Sequence, residues 1–304
     1  MISLRHILLS TAVAMGIGAG AAAAQGASGT FFPSAAEGVD KFVAAARAKD
    51  MASLDRMLGP DGRDVLHSGD DQADQNALER FVAAYDAGHK FSGDTARSTL
   101  SVGKDDWPMP IPLVKEANGW RFDAAAGRNE LLARRIGRNE LATIEACKAF
   151  VDAQREYASV DRGDGVLDYA QRFVSTPGKQ DGLYWPAKAG EAESPLGPLF
   201  VKAQAAGYAP GNSGAPQPYN GYYFRILTAQ GSAANGGAYS YLAHGKLMGG
   251  FALIAYPATY GISGVMSFIV NQDGQVFQKD LGPNTGTAAS QIKTFDPGPG
   301  WQKA

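Results

Sequence analysis

The chain has 304 residues, with 28 Lys and Arg against 30 Asp and Glu, a formal charge of −2 and 45 % hydrophobic residues. That hydrophobic share suffices for a packed core and excludes wholesale disorder, while the near-neutral charge gives no electrostatic basis for a nucleic-acid partner. A single cysteine, Cys147, excludes an internal disulfide framework and any multi-cysteine metal cluster.

Arg5 is the only charged side chain before Glu37, and an apolar run from Ile7 to Ile17 follows it. A small-residue stretch then ends in Ala22-Ala23-Ala24-Gln25. A basic start, a short apolar stretch and an A-x-A site are the parts of a secretory signal peptide. The reading is therefore a leader over residues 1–24, cleaved near Ala24, and a mature protein that is periplasmic or secreted. Cleavage leaves 27 basic and 30 acidic residues, a charge of −3. The apolar run is too short for a span of about 20 residues, and no later segment resembles a membrane helix.

Residues 25–128 read as an α+β unit. Ser34 and Glu37 have capping-box spacing, and Val39, Phe42, Val43 and Ala46 form a helical stripe. Leu54, Met57 and Leu58 suggest a second short helix stopped by Gly59-Pro60, and Asp74 to His89 suggests a longer one. The period then changes. Leu100 and Val102 lie on a strand, and Leu113–Ala117 and Trp120–Phe122 flank Asn118-Gly119, a strong hairpin signal. Three prolines keep Trp107–Pro112 extended.

Residues 129–304 read as a helix plus an antiparallel sheet. A helical stretch from Asn129 to Ser159 carries Leu141, Ile144, Cys147, Phe150 and Val151, and Gly137 is placed to divide it. A short helical run is expected over Val166–Phe173. Ser175–Gly221 is dense in Gly and Pro, with at most a turn or two near Gly197–Ala206, and a loop of that length points to function or poor order. Strands follow at Tyr222–Thr228, Phe251–Tyr256, Val265–Val270 and Val276–Leu281, with Asp273-Gly274 as a turn. The tail from Gly282 reads as an extended strap. The fold class is thus α+β: a helix-plus-hairpin first half, a long central helix, and a C-terminal helix packed on an antiparallel sheet.

Phe31-Phe32-Pro33, Trp107-Pro108-Met109-Pro110-Ile111-Pro112, Gly119-Trp120-Arg121-Phe122-Asp123, Arg134-Arg135-Ile136-Gly137-Arg138-Asn139-Glu140-Leu141 and Asp181-Gly182-Leu183-Tyr184-Trp185 carry a resemblance to the uncharacterised bacterial family known as domain of unknown function 2950. The resemblance spans essentially the whole mature chain and implies no activity, since that family has none assigned. The second half also resembles type IV pilin globular domains. Ala153-Gln154-Arg155-Glu156-Tyr157 on a helix precedes an antiparallel sheet holding Ala255-Tyr256-Pro257 and Asp273-Gly274. The disulfide and the assembly helix of pilins are missing, so no pilus role is carried over.

The residues offer few reactive sets. His67 stands beside Ser68, Asp70, Asp71 and Asp74, a composition that suits either a hydrolytic site near His67 and Asp70/Asp71 or a loop of helix caps. Cys147 lies on an apolar helical stripe and reads as core. Asp161, Asp164 and Asp168 superficially resemble a calcium loop, although the spacing is too short for an EF-hand, and a turn capping a helix near Val166 explains them equally. No cofactor is expected. Arg134, Arg135 and Arg138 could hold an anionic ligand at the junction of the halves, or could fasten a helix by salt bridges, with Glu130 one turn before Arg134. Tyr184, Trp185, Tyr219 and Tyr222 surround the Gly/Pro-rich loop, as a recognition platform or as a satellite core beneath it. The sequence thus points to an exported, non-catalytic binding or assembly-accessory protein with an envelope protein or polysaccharide as partner. The alternative is a periplasmic hydrolase acting on an envelope polymer.

Overall fold

A computed structural model describes residues 29–163, 165–187, 190, 192–208 and 217–304. The expected leader and Asp164 lie outside the described residues. Among them the fold is α+β, with a long central helix and antiparallel sheets.

Helix α1 (Ala35–Arg47) starts where the Ser34 hydroxyl accepts the Glu37 N–H at 3.1 Å, and it buries Val39, Phe42, Val43 and Ala46. Asp50 caps α2 (Met51–Leu58) in the same way, and a 3-10 turn leads into α3 (Arg63–Leu66) and α4 (Asp71–Ala87). The chain turns at Gly88, so His89 opens a strand instead of closing the helix. β1 (His89–Gly93), β2 (Arg97–Val102), β4 (Leu113–Glu116) and β5 (Gly119–Phe122) form an antiparallel sheet in that order, with β3 (Trp107–Pro108) also pairing with β2. Gly119 turns the β4–β5 hairpin at φ +123°, where a Cβ would stand 2.5 Å from the Phe32 carbonyl oxygen. Phe32, Phe42, Leu54, Leu100, Ile111, Leu113 and Phe122 make the core between these helices and the sheet.

A single helix, α5 (Ala124–Tyr157), runs for 34 residues, or about 51 Å at 1.5 Å per residue. It begins before the expected Asn129 and passes unbroken through Gly137. A mid-helix glycine costs about 1 kcal/mol relative to alanine, too little to break a helix anchored at both ends. Ala124, Gly127 and Leu132 are buried near its start, while Cys147, Phe150, Val151, Ala153 and Tyr157 are buried near its end. Between them, Arg135 donates to the carbonyl oxygens of Asp64, at 2.7 Å, and Val65. One turn on, Asn139 donates to Ser263 O at 2.9 Å, and Glu140 Oε1 accepts the N–H groups of Val265 and Met266 at 3.0 and 2.9 Å. The boundary expected between residues 128 and 129 therefore falls inside one helix.

Residues 166–173 are not helical. The buried Gln154 amide takes the place of a backbone neighbour there, donating to Ala170 O and accepting from Ala170 N–H, both at 2.8 Å. Tyr169 bridges to Leu247. α6 (Gly197–Ala205) is the short helix within the Gly/Pro-rich stretch. β6 (Tyr222–Leu227) then leads to two small hairpins, β7 (Ala229–Gln230) with β8 (Tyr239–Ser240) and β9 (Leu242–Ala243) with β10 (Lys246–Leu247). β11 (Ala252–Pro257), β12 (Met266–Asn271) and β13 (Phe277–Asp280) follow the expected strands. With β14 (Gln302–Lys303) they form a second antiparallel sheet, ordered β14-β13-β12-β11-β6.

Both faces of this sheet are covered. Leu253, Ala255, Phe268 and Val270 face the core shared with α5, while Ala252, Ile254 and Ile269 face one shared with Ala289 and Phe295. The side chains alternate as strand geometry requires. The second cover includes α7 (Thr285–Gln291), a helix where a plain extended strap was expected. Arg225 of β6 donates to the carbonyls of Ala289 and Ile292 at 2.7 Å each, satisfying acceptors at the end of that helix.

Candidate functional site

The four aromatic residues of the long loop do not form one open platform. Tyr222 is fully buried against Phe268 and donates from its hydroxyl to Met266 O at 2.9 Å, so it presents no ring face to solvent. Burial pushes its phenol well above the usual range. Trp185 is 8 % exposed and lies in the α5-side core, where its indole N–H has no hydrogen-bond partner among the described residues. Tyr184 is partly buried and stacks on Phe200 of α6, with ring centres 4.1 Å apart. Tyr219 meets Tyr208 edge to face at 5.1 Å. Tyr184, Trp185 and Tyr222 pack on the same α5-side core, a placement that composition alone does not reveal.

The three arginines divide, since helix positions one apart differ by about 100° in direction. Arg135 turns inward, holding the α3 carbonyls and standing 3.8 Å from Asp74. Burial pushes the Asp74 carboxyl upward, although its acceptance of the Ser68 N–H at 2.8 Å works against the shift. Arg134 and Arg138 turn outward. Arg134 pairs with Glu130 and lies over the Trp107 ring at 5.1 Å.

His67 and the neighbouring acids are separated in function. The His67 Nε2 meets Asp55, with the closer oxygen at 2.8 Å, on a solvated surface. Asp70 is buried and serves structure. One oxygen accepts the Ala73 N–H at 3.0 Å to cap α4. The other accepts the Tyr208 hydroxyl at 2.9 Å and the Gly221 N–H at 2.8 Å, fastening the far end of the long loop. Asp71 sits exposed in the first turn of α4. Cys147 is fully buried, and burial pushes its thiol up to about 12, far from thiolate chemistry at neutral pH.

The described residues line a half-open pocket of about 690 Å³ beneath the C-terminal end of α5. This volume lies within the range that holds small ligands. Its walls come from Tyr157 and residues 160–162, from 168–172 and 179–181, and from Lys246. Arg162, Arg172, Lys179 and Lys246 supply cationic groups, and Asp161, Asp168 and Asp181 supply carboxylates.

Part of this lining is already fixed in place. The Arg162 guanidinium lies 3.6 Å from the centre of the Tyr157 ring and 5.7 Å from that of Trp185, and it donates to the carbonyls of Tyr157 and Val160. Its Nε is buried without a hydrogen-bond partner among the described residues. Burial opposes the charge on Asp181, but the N–H and hydroxyl of Thr176, at 2.7 and 2.8 Å, outweigh it and hold the carboxyl below its ordinary range. Asp161 accepts from the N–H groups of Gly163 and Gly165, bending its own loop. Asp161 and Asp168 thus share a wall, whereas no group of three His, Cys, Asp or Glu suited to a metal occurs among the described residues. Among the described residues the lining includes no His, Cys or Ser, and its mixed charges, amides and phenols suit hydrogen bonding to a polar ligand.

Sequence reading reached only the two aspartates of this pocket. Arg162, Arg172, Lys179 and Lys246 carry no local pattern, and the Tyr169–Leu247 bridge is what brings the last of them near the rest. No match was found among curated proteins or among solved structures. A family model described as "Protein of unknown function (DUF2950)" matches residues 29–304, and with every element described above inside that match, the chain belongs to the DUF2950 family.

Proposed function

We propose that the protein is an exported envelope protein that binds rather than catalyses, with the pocket beneath α5 as its recognition site. The pocket carries this reading: it is large enough for a sugar or peptide fragment, and its described lining is rich in groups that donate and accept hydrogen bonds. Arg162 is held between Tyr157 and Trp185, so part of the lining is preorganised before any ligand arrives. The leader pattern before Gln25 supports export, and among the described residues no helix is long and apolar enough to cross a membrane. Tyr184 and Trp185 then serve the site from behind, and envelope polysaccharide or its peptide-bearing fragments are the partner class. The hydrolytic alternative gains no support from the geometry, because Asp70 is buried and held by Ala73, Tyr208 and Gly221, and neither it nor His67 lines the pocket.

Calorimetric titration of the secreted chain, its mass matching a start at Gln25, against soluble envelope glycan and glycopeptide fragments tests the proposal. Binding should weaken about tenfold, or 1.4 kcal/mol, when Lys179→Glu is combined with Arg172→Gln. Fragments that fail to bind, or that bind the double variant equally well, would overturn it.

A further inference from the structure

We propose that the outward face of α5 around Arg134 and Arg138, together with Arg80 of α4 and the exposed Trp107, is a docking surface for an acidic segment of a protein partner. Arg134, Arg138 and Leu141 follow i, i+4, i+7 spacing and so share one stripe of the helix. This stripe lies in the stretch between the two buried ends of α5, away from the pocket. Leu141 is 69 % exposed and Trp107 is 38 % exposed, so apolar surface flanks the charges. The Arg134 guanidinium over the Trp107 ring joins the two kinds of surface into one patch.

The electrostatics identify the occupant. The chain has more acidic than basic residues, yet Arg80 and Arg138 form no ion pair among the described residues, and Glu130 neutralises only Arg134. Burial and the neighbouring charges of Arg80 and Arg134 weaken the hold of Arg138 on its proton. Like charges gathered without a counter-charge are unfavourable, and a carboxylate from outside would relieve them. Guanidinium forks match carboxylates in a bidentate way that ammonium groups do not. Gly137 adds room, since nothing lies within 4 Å of where its Cβ would be. An anionic bilayer is a poorer fit, because Glu130 and Glu145 stand among the outward residues of the same helix. An acidic polypeptide with an apolar side chain beside its carboxylates satisfies both parts of the patch.

The test uses the mature chain and a labelled short peptide of Glu residues around one Leu. A Lys-for-Glu counterpart and phosphatidylglycerol vesicles serve as competing probes. Anisotropy should show salt-dependent binding of the acidic peptide, weakened at least about tenfold by Arg80→Glu with Arg138→Glu. A milder Arg80→Gln, Arg138→Gln pair should weaken it in the same direction, which separates docking from misfolding. Lys179→Glu with Arg172→Gln should leave it unchanged, so this surface and the pocket succeed or fail separately. The proposal is overturned if the acidic peptide does not bind at low salt or binds the arginine variants equally. It is also overturned if the Lys peptide competes equally, or if only the vesicles bind.

Discussion

Trp185 combines two costs, a buried indole N–H without an acceptor among the described residues and a large side chain that must be closely surrounded. The gain from burying the ring outweighs the first. Trp185→Ala should therefore destabilise the protein by about 3–5 kcal/mol, as expected for a large aromatic lost from a core. Chemical denaturation measures this, and an unchanged midpoint would show the ring to be dispensable. Because Arg162 lies between Tyr157 and Trp185, the same variant should also loosen the pocket wall. The sequence already showed that aromatic residues crowd this loop. It could not show that Tyr222 faces a sheet core or that Tyr184 finds Phe200, because those directions depend on a strand and a helix formed elsewhere.

Elements with a strong local signature were legible. Ser34 with Glu37, Asn118 with Gly119 and the apolar stripe of α1 each specify structure through near neighbours, and each appears where expected. Elements that depend on distant partners were not. The run 166–173 reads as helical by period but is drawn out by Gln154 and Leu247, and α7 has its end satisfied by Arg225 from β6. Gly137 is the opposite case, a local helix breaker overruled by tertiary contacts on both sides. Its would-be Cβ meets nothing within 4 Å. Gly137→Ala should thus stabilise the fold by about 0.5–1 kcal/mol, through helix propensity and a less flexible unfolded chain. A thermal melt that falls instead of rising would indicate that this helix turn depends on glycine.

At the level of the whole molecule, Asp70 ties the start of α4 to the loop that returns into β6. Asp70→Asn keeps the size but turns one acceptor into a donor facing either the Ala73 N–H or the Gly221 N–H and Tyr208 hydroxyl together. Leaving a buried polar group unpaired costs about 1–3 kcal/mol. Hydrogen exchange should accelerate at Gly221 and along the start of α4 while α1 keeps its protection; equal protection throughout would remove Asp70 from this role. The pocket was largely hidden from the sequence for the same reason that Asp70 read ambiguously. A carboxylate that caps, bridges or binds looks identical until the segments that meet it are in place.

The path of α5 through the molecule has a mechanical consequence. Arg135 pins it to α3, and Asn139 and Glu140 pin it to the segment before β12, one turn further along. These fixings stand on a continuous rod without a flexible joint between them, so torque applied at one is carried directly to the other. Relative rotation of the two sides would have to shear off one set of pins or bend the crossbeam itself. A load on the pocket at Tyr157 and a load on the face at Arg138 therefore act on the same stiff member.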